Sequence, residues 1–98
     1  MTITKKTEGT AVIIALEGRL DTSTAPELEA ELNASLDGIK DLTLDLAQLL
    51  YLSSAGLRVI LAAQKRMNKQ GSMVVTHVCD EIMEVFEITG FVDILNIQ

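Results

Sequence analysis

Apolar and polar positions along the chain predict a series of strands. Val12 to Leu16 is an unbroken apolar run, which is typical of a strand buried on both faces of a sheet. Leu42, Leu44 and Leu46 alternate with polar residues at a period of two, which predicts a second strand. A turn at Glu8-Gly9 makes the segment before Val12 a hairpin partner. Residues 72–78 and 91–98 predict a further buried strand and a final edge strand.

Three other segments have the spacing of helices. Leu28, Leu32 and Leu36 recur every four residues after Pro26, and Thr24 with Glu27 has the sequence of a capping box. Residues 55–70 and 80–89 carry apolar stripes of the same period, and each is followed by a glycine. These segments separate the predicted strands from one another.

The combined order predicts the fold class. It runs β-β-α-β-α-β-α-β, which indicates an α/β domain with a mixed sheet of four to five strands covered by helices. The first two strands are expected to be antiparallel, and strands joined through helices parallel, with right-handed crossovers. No linker or repeat divides the chain, so residues 1–98 are expected to form one domain.

Composition narrows the classes of partner. The 98 residues are 48% apolar and 22% charged, with a net charge of −6. An acidic chain without a basic stripe argues against nucleic acid and anionic membrane as partners. We find no signal peptide and no apolar run of membrane-spanning length, so we expect a soluble cytoplasmic protein.

The sequence lacks the residue patterns that are typical of catalytic sites. A nucleophilic serine needs a base, and the single histidine, His77, lies in a predicted strand. The sequence around Ser53 and Ser54 is not that of a nucleophile elbow. One histidine and one cysteine, Cys79, do not make a zinc site. Phosphate-binding loop motifs are missing, so no cofactor or metal is predicted. Weak nucleotide binding at a helix N-terminus stays open as an alternative.

The serine pair Ser53-Ser54 is the unusual polar feature of the chain. It follows a predicted strand and opens a predicted helix, in the segment LLYLSSAGLRVIL. The residues alone leave two interpretations: one serine caps the helix, or another protein acts on one of them. The loop Arg19–Thr24 lies at an equivalent strand-to-helix position and is expected at the same edge of the sheet.

Three segments together resemble the STAS domain, the module of anti-sigma factor antagonists. LLYLSSAGLRVIL resembles the family signature at the serine. VIIALEGRLDTSTAPELEAEL resembles the second strand, the G-x-L-D loop and the first helix, and VFEITGFVDIL resembles the C-terminal helix and turn. The resemblance extends from about Val12 to Ile94 and implies a STAS-like fold.

The resemblance also implies a site. In this family a partner kinase phosphorylates a serine in the pattern acidic residue, serine, small residue, glycine, leucine. Alignment on the glycine and leucine assigns Ser54 as the acceptor, with Ser53 as runner-up. Ser53 stands where the family usually has aspartate. The implied partner-binding edge consists of Asp21, Thr22, Ser53, Ser54, Gly56 and Leu57.

The function implied is partner switching without enzymatic activity. The unmodified chain would bind an anti-sigma factor that is also a serine protein kinase, phosphorylation of Ser54 would release it, and a serine phosphatase would reset it. An alternative keeps the fold but assigns the chain to another regulatory assembly as a free-standing STAS module.

Overall fold

A computed structural model describes all residues from 1 to 98 and contains four strands, three α-helices and one 3₁₀ helix. In chain order they are β1 Thr2–Glu8, β2 Ala11–Leu20, α1 Ala25–Ser35, β3 Asp41–Leu52, α2 Ser54–Gln70, β4 Ser72–Thr76, α3 Asp80–Thr89 and the 3₁₀ helix Phe91–Asp93. The predicted α/β class is confirmed, and the element order agrees with the prediction as far as α3.

The sheet has the strand order β1-β2-β3-β4. β1 runs antiparallel to β2, whereas β3 is parallel to both β2 and β4. The hairpin between β1 and β2 turns at Gly9, which has a φ of +62°. The predictions that the first two strands are antiparallel and that strands joined through helices are parallel are therefore confirmed for these four strands.

One face of the sheet carries the core. The side chains of Val12, Ile14 and Leu16 on β2 are buried together with their neighbours on β3 and β4. All buried apolar side chains belong to one cluster, which includes residues from all three α-helices. The opposite face of the sheet is mostly polar and half-exposed, with Thr43 and Asp45 at its centre.

The prediction that Val12–Leu16 is buried on both faces is wrong. Ile13 points to the open face and is 45% exposed. Helices cover only the other face. Every residue of the run is apolar, but only alternate ones pack in the core. One packed and one solvated face is common in antiparallel sheets, whereas sheets made only of parallel strands are covered on both faces.

The predicted final strand is also wrong. α3 ends at Gly90 in the left-handed conformation, and the chain continues into the 3₁₀ helix. The ring of Phe91 stacks on that of Phe86 with 6.3 Å between centroids, which holds this turn against the core. The remaining residues form only one isolated parallel bridge, Val75 to Ile97.

A close backbone contact lies at the end of the sheet opposite the serines. A Cβ atom added to Gly71 would lie 1.9 Å from the carbonyl oxygen of Lys40. The amide of Ser72 donates to the same carbonyl at 2.8 Å, so the start of β4 is fixed directly beside the start of β3. Glycine is required here because any side chain would prevent this approach.

Candidate functional site

Two strand-to-helix junctions meet at one edge of the sheet. β2 leads into α1 through residues 21–24, and β3 leads into α2 through Ser53. Leu20 and Leu52 are paired at the ends of their parallel strands. The amide of Ser53 donates to the carbonyl of Leu20 at 2.9 Å. The expectation that the Asp21 loop and the serine pair share one edge is met by this pairing.

The two serines have different environments. Ser53 is the N-cap of α2, and its Oγ accepts a hydrogen bond from the amide of Gly56 at 3.4 Å. Ser54 is the first residue of the helix and is exposed, and its hydroxyl makes no hydrogen bond to the protein. The capping interpretation therefore applies to Ser53, while the hydroxyl of Ser54 is free for chemistry.

Gly56 and Leu57 lie beneath the edge, within the core. A Cβ atom on Gly56 would lie 2.6 Å from Cγ of Leu20 and 2.8 Å from Cδ1 of Leu52. Leu57 is buried as well. Of the six residues predicted for the partner-binding edge, these two position the junction and do not contribute accessible surface.

Asp21 organises the neighbouring loop. Its Oδ1 accepts hydrogen bonds from the amides of Ser23 at 3.0 Å and Thr24 at 3.1 Å, and its backbone carbonyl accepts from the amide of Ala25 at 2.8 Å. Thr22, at the outside of this turn, is exposed. Asp21 thus holds the loop in shape, and Thr22 is available on its surface.

The predicted capping box at Thr24 and Glu27 is wrong. Thr24 is the N-cap of α1, but its side chain makes no hydrogen bond to the helix. Its Oγ1 instead donates to the carbonyl of Arg19 at 2.8 Å and accepts from the amide of Asp21 at 2.8 Å. The hydroxyl is used to close the loop onto the end of β2, which takes precedence over local capping.

The pKa of the Asp21 carboxyl lies below its ordinary value. Partial burial of the carboxyl raises the pKa, but hydrogen bonds from the amides of Thr24 and Ser23, the hydroxyl of Thr24 and the charge of Arg19 together outweigh burial. The folded loop therefore favours the ionised form of Asp21.

Further exposed residues flank the junction. The guanidinium of Arg19 lies 4.1 Å from the ring centroid of Tyr51, and its Nε is 3.8 Å from Oδ2 of Asp21. Leu50 is 76% exposed and Tyr51 42%. The pairing of β2 with β3 is irregular between Gly18 and Arg19, and Leu50 is the residue left out of register there. The register shift accounts for the exposure of Leu50, although this residue belongs to an apolar run in the sequence.

Other reactive side chains lie apart from the serines. Nδ1 of His77 is 3.1 Å from Oδ1 of Asp45, and neither side chain bonds to Ser53 or Ser54. No group of three or more His, Cys, Asp or Glu side chains is arranged to hold a metal ion. None of the helices combines the length and apolarity required to cross a membrane.

Replacement of the serines separates their roles. We expect Ser53→Ala to lower the free energy of unfolding by about 1 kcal/mol, because it removes the side chain that caps α2. Ser54→Ala, which removes an unbonded exposed hydroxyl, should change it by less than about 0.5 kcal/mol. Urea unfolding followed by circular dichroism measures both. Equal losses for the two variants would contradict the assignment of the cap.

The lowered pKa of Asp21 predicts a pH dependence of stability. The ionised carboxyl stabilises the fold above the unfolded-state pKa of about 4, and this contribution is lost as the pH falls through the lower folded-state pKa. The stability difference between the unchanged chain and Asp21→Asn should therefore be largest near neutral pH and shrink in acid.

Thermal unfolding between pH 7 and pH 2 measures this difference. Asp93→Asn is the matched control, because Asp93 is exposed and its side chain makes no hydrogen bond or ion pair. A difference between the unchanged chain and Asp21→Asn that grows as the pH falls would contradict the account.

Comparisons with known proteins agree with this architecture. The chain is 42% identical over 88 residues to BtrV of Bordetella bronchiseptica, a protein named as an anti-sigma factor antagonist; the match covers 88% of this chain and 76% of BtrV.

Two solved structures share the fold. An anti-sigma factor antagonist from Mycobacterium paratuberculosis has a TM-score of 0.88 at 23% identity, over 98% of this chain and 83% of that one. The Bacillus cell fate determinant SpoIIAA in its phosphorylated form has a TM-score of 0.78 at 15% identity, over 99% and 91%. At these identities the likeness establishes the fold alone. The model of the STAS domain family matches residues 2–98, and the chain therefore belongs to the STAS domain family.

Proposed function

We propose that this protein is an anti-sigma factor antagonist controlled by phosphorylation of Ser54. Unmodified, it binds an anti-sigma factor that is also a serine protein kinase; phosphorylated, it releases that partner. The observation that carries the proposal is the exposed, unbonded hydroxyl of Ser54 on the first residue of α2. The name of BtrV and the phosphorylated form of SpoIIAA support the same role.

The chain is suited to be a substrate for a kinase and has no catalytic machinery of its own at this edge. A nucleophilic serine requires a base within hydrogen-bond reach, and none of the side-chain hydrogen bonds in the protein involves Ser54. The partner would supply the base that takes the hydroxyl proton. The γ-phosphoryl group of ATP is transferred to Oγ, and ADP leaves.

The position of Ser54 suits an added phosphate. A phosphoserine carries about −1.5 to −2 charges at neutral pH. At the first residue of a helix this charge faces the positive end of the helix dipole and amides that lack acceptors within the helix. Ser53 continues to cap the helix through its own Oγ, so the added group does not compete with the cap.

The cost of phosphorylation would arise at the interface with the partner. Docking would bury a doubly charged group against a surface that had accommodated a neutral hydroxyl. A penalty of about 4 kcal/mol, within the range for unmatched buried charge at interfaces, weakens binding about a thousandfold. Because the protein already has a net charge of −6, the phosphate also adds to its overall repulsion of acidic surfaces.

The docking surface combines polar loop residues with apolar ones. Thr22 and Ser54 supply exposed hydroxyls on neighbouring junctions, and Asp21 fixes the loop that carries Thr22. Leu50 and Tyr51 add exposed apolar surface on the same strand end. Such a cluster is typical of a protein interface, in which an apolar centre is surrounded by polar groups.

The proposed circuit works in the cytoplasm, and the partners of the chain in it are proteins. A serine phosphatase resets the chain by hydrolysing the phosphate. Nucleic acid and membrane are not partners, in agreement with the acidic composition.

Phosphorylation by the partner kinase tests the proposal. The anti-sigma factor kinase isolated with this protein from its native cells, given Mg²⁺ and ATP, should add one phosphate to the unmodified chain. Intact mass and tandem mass spectrometry should locate it on Ser54. Ser53→Ala is the matched control and should still be phosphorylated, whereas Ser54→Ala should not. Phosphate that persists on Ser54→Ala, or a failure of the unmodified chain to accept any, would overturn the proposal.

A further inference from the structure

One cation near the junction is left without a partner. Arg58 lies on α2 four residues after Ser54, and its side chain is exposed. The protein's ion pairs join Lys5 with Glu31, Arg19 with Asp21, Arg66 with Asp37 and His77 with Asp45. Arg58 takes part in none of them, nor in any side-chain hydrogen bond. It is therefore a free guanidinium one helical turn from the proposed phosphorylation site.

Helix geometry directs Arg58 toward Ser54. Residues at i and i+4 lie on the same face of a helix, with about 5–6 Å between their Cβ atoms. Long side chains on a helix point back toward its N-terminus and cover the preceding turn. The guanidinium of Arg58 can therefore reach the first turn of α2, which begins at Ser54.

The residues around Arg58 leave its side chain free to turn toward Ser54. Arg58 lines a shallow groove between the first turns of α1 and α2, together with Thr22, Ala25, Pro26, Glu29, Ala55 and Val59. Glu29 is the one carboxylate in this groove, and it forms no ion pair with Arg58. No existing bond of Arg58 has to be broken before it can turn to a new anion.

We propose that Arg58 is the positioning residue that binds the phosphate once Ser54 is modified, and that it holds the phosphate against the first turn of α2. The inference rests on the proposed function for the identity of the modified serine. The planar guanidinium matches two phosphate oxygens at once, a geometry that a lysine does not reproduce.

The pair would change two features of the edge together. Modification adds negative charge at Ser54, and it also removes Arg58 from the groove as a free cation. A partner that used Arg58 to bind an acidic group would lose that contact in the same event. Phosphorylation thereby affects a wider part of the surface than the hydroxyl itself.

The same geometry distinguishes the two serines. Arg58 is five residues from Ser53, and residues at that spacing point to different sides of a helix. A phosphate on Ser53 would therefore lie away from Arg58, and it would replace the hydroxyl that caps α2. Capture by Arg58 is specific to a phosphate on Ser54.

The test uses full-length protein with phosphoserine incorporated at position 54 during translation, titrated by ³¹P NMR. A neighbouring guanidinium stabilises the dianion, so the second pKa of the phosphate should be lower in the unchanged chain than in Arg58→Gln by about 0.3 pH units. Lys65→Gln, on the same helix but three turns away, is the control for loss of one positive charge and should match the unchanged chain. Arg58→Lys should fall between the two.

Phosphoserine at position 53 gives a second control, in which Arg58→Gln should leave the titration unaltered. Superimposable titrations of the phosphate on Ser54 with and without Arg58 would overturn the inference, as would an equal effect of Lys65→Gln. Circular dichroism of each variant verifies the fold. Because the phosphate is installed without a kinase, the result does not depend on the kinase, and failure of the kinase assay would count only against the proposed function.

Discussion

The site depends on the parallel pairing of β2 with β3 up to their last residues. The hydrogen bond from the amide of Ser53 to the carbonyl of Leu20 joins the two strand ends at 2.9 Å. Directly beneath it, Gly56 approaches Leu20 and Leu52 so closely that a Cβ atom would overlap them. This contact sets where α2 begins, and hence where the hydroxyl of Ser54 emerges. Gly56 and Leu57 matter to the edge through packing, although they are not part of its surface.

A junction constrained in this way favours control by charge over control by shape. Ser53 satisfies the amide of Gly56, and Asp21 satisfies the amides of the adjacent loop, so both turns are formed before any modification. Ser54 lies outside this network, and a phosphate there meets the positive end of α2. In the proposed switch the domain would keep its structure, while the electrostatic potential of its docking surface changes sign locally.

Most of the strands and helices could be predicted from the sequence, because the apolar residues of the core recur at regular spacings. The alternation of Leu42, Leu44 and Leu46 and the spacing of the helical leucines depend on local periodicity, and the structure has the strands and helices they indicate. The position of Ser53 between strand and helix also followed from local signals. The resemblance, in contrast, was needed to choose Ser54 as the acceptor, since the residues alone left helix capping open.

The errors arise from contacts and exposure that the periodicity of apolar residues alone does not encode. Thr24 bonds to the end of β2 instead of capping α1, and the capping-box pattern in the sequence does not distinguish these two hydrogen bonds. In place of the predicted final strand the chain forms a 3₁₀ helix, in which Phe91 packs on Phe86. The unbroken apolar run from Val12 to Leu16 predicts burial on both faces, because the apolar character of Ile13 does not reveal that one face of the sheet is open.

The proposal is that phosphate on Ser54 releases the partner while the domain keeps its structure. Calorimetric titration of the anti-sigma factor kinase with unmodified and Ser54-phosphorylated protein tests it, together with thermal unfolding of the same two samples. We expect phosphorylation to weaken binding about a thousandfold, while the unfolding midpoint changes by no more than about 3 °C. Equal affinity of the two forms, or a phosphorylated form that unfolds, would contradict it.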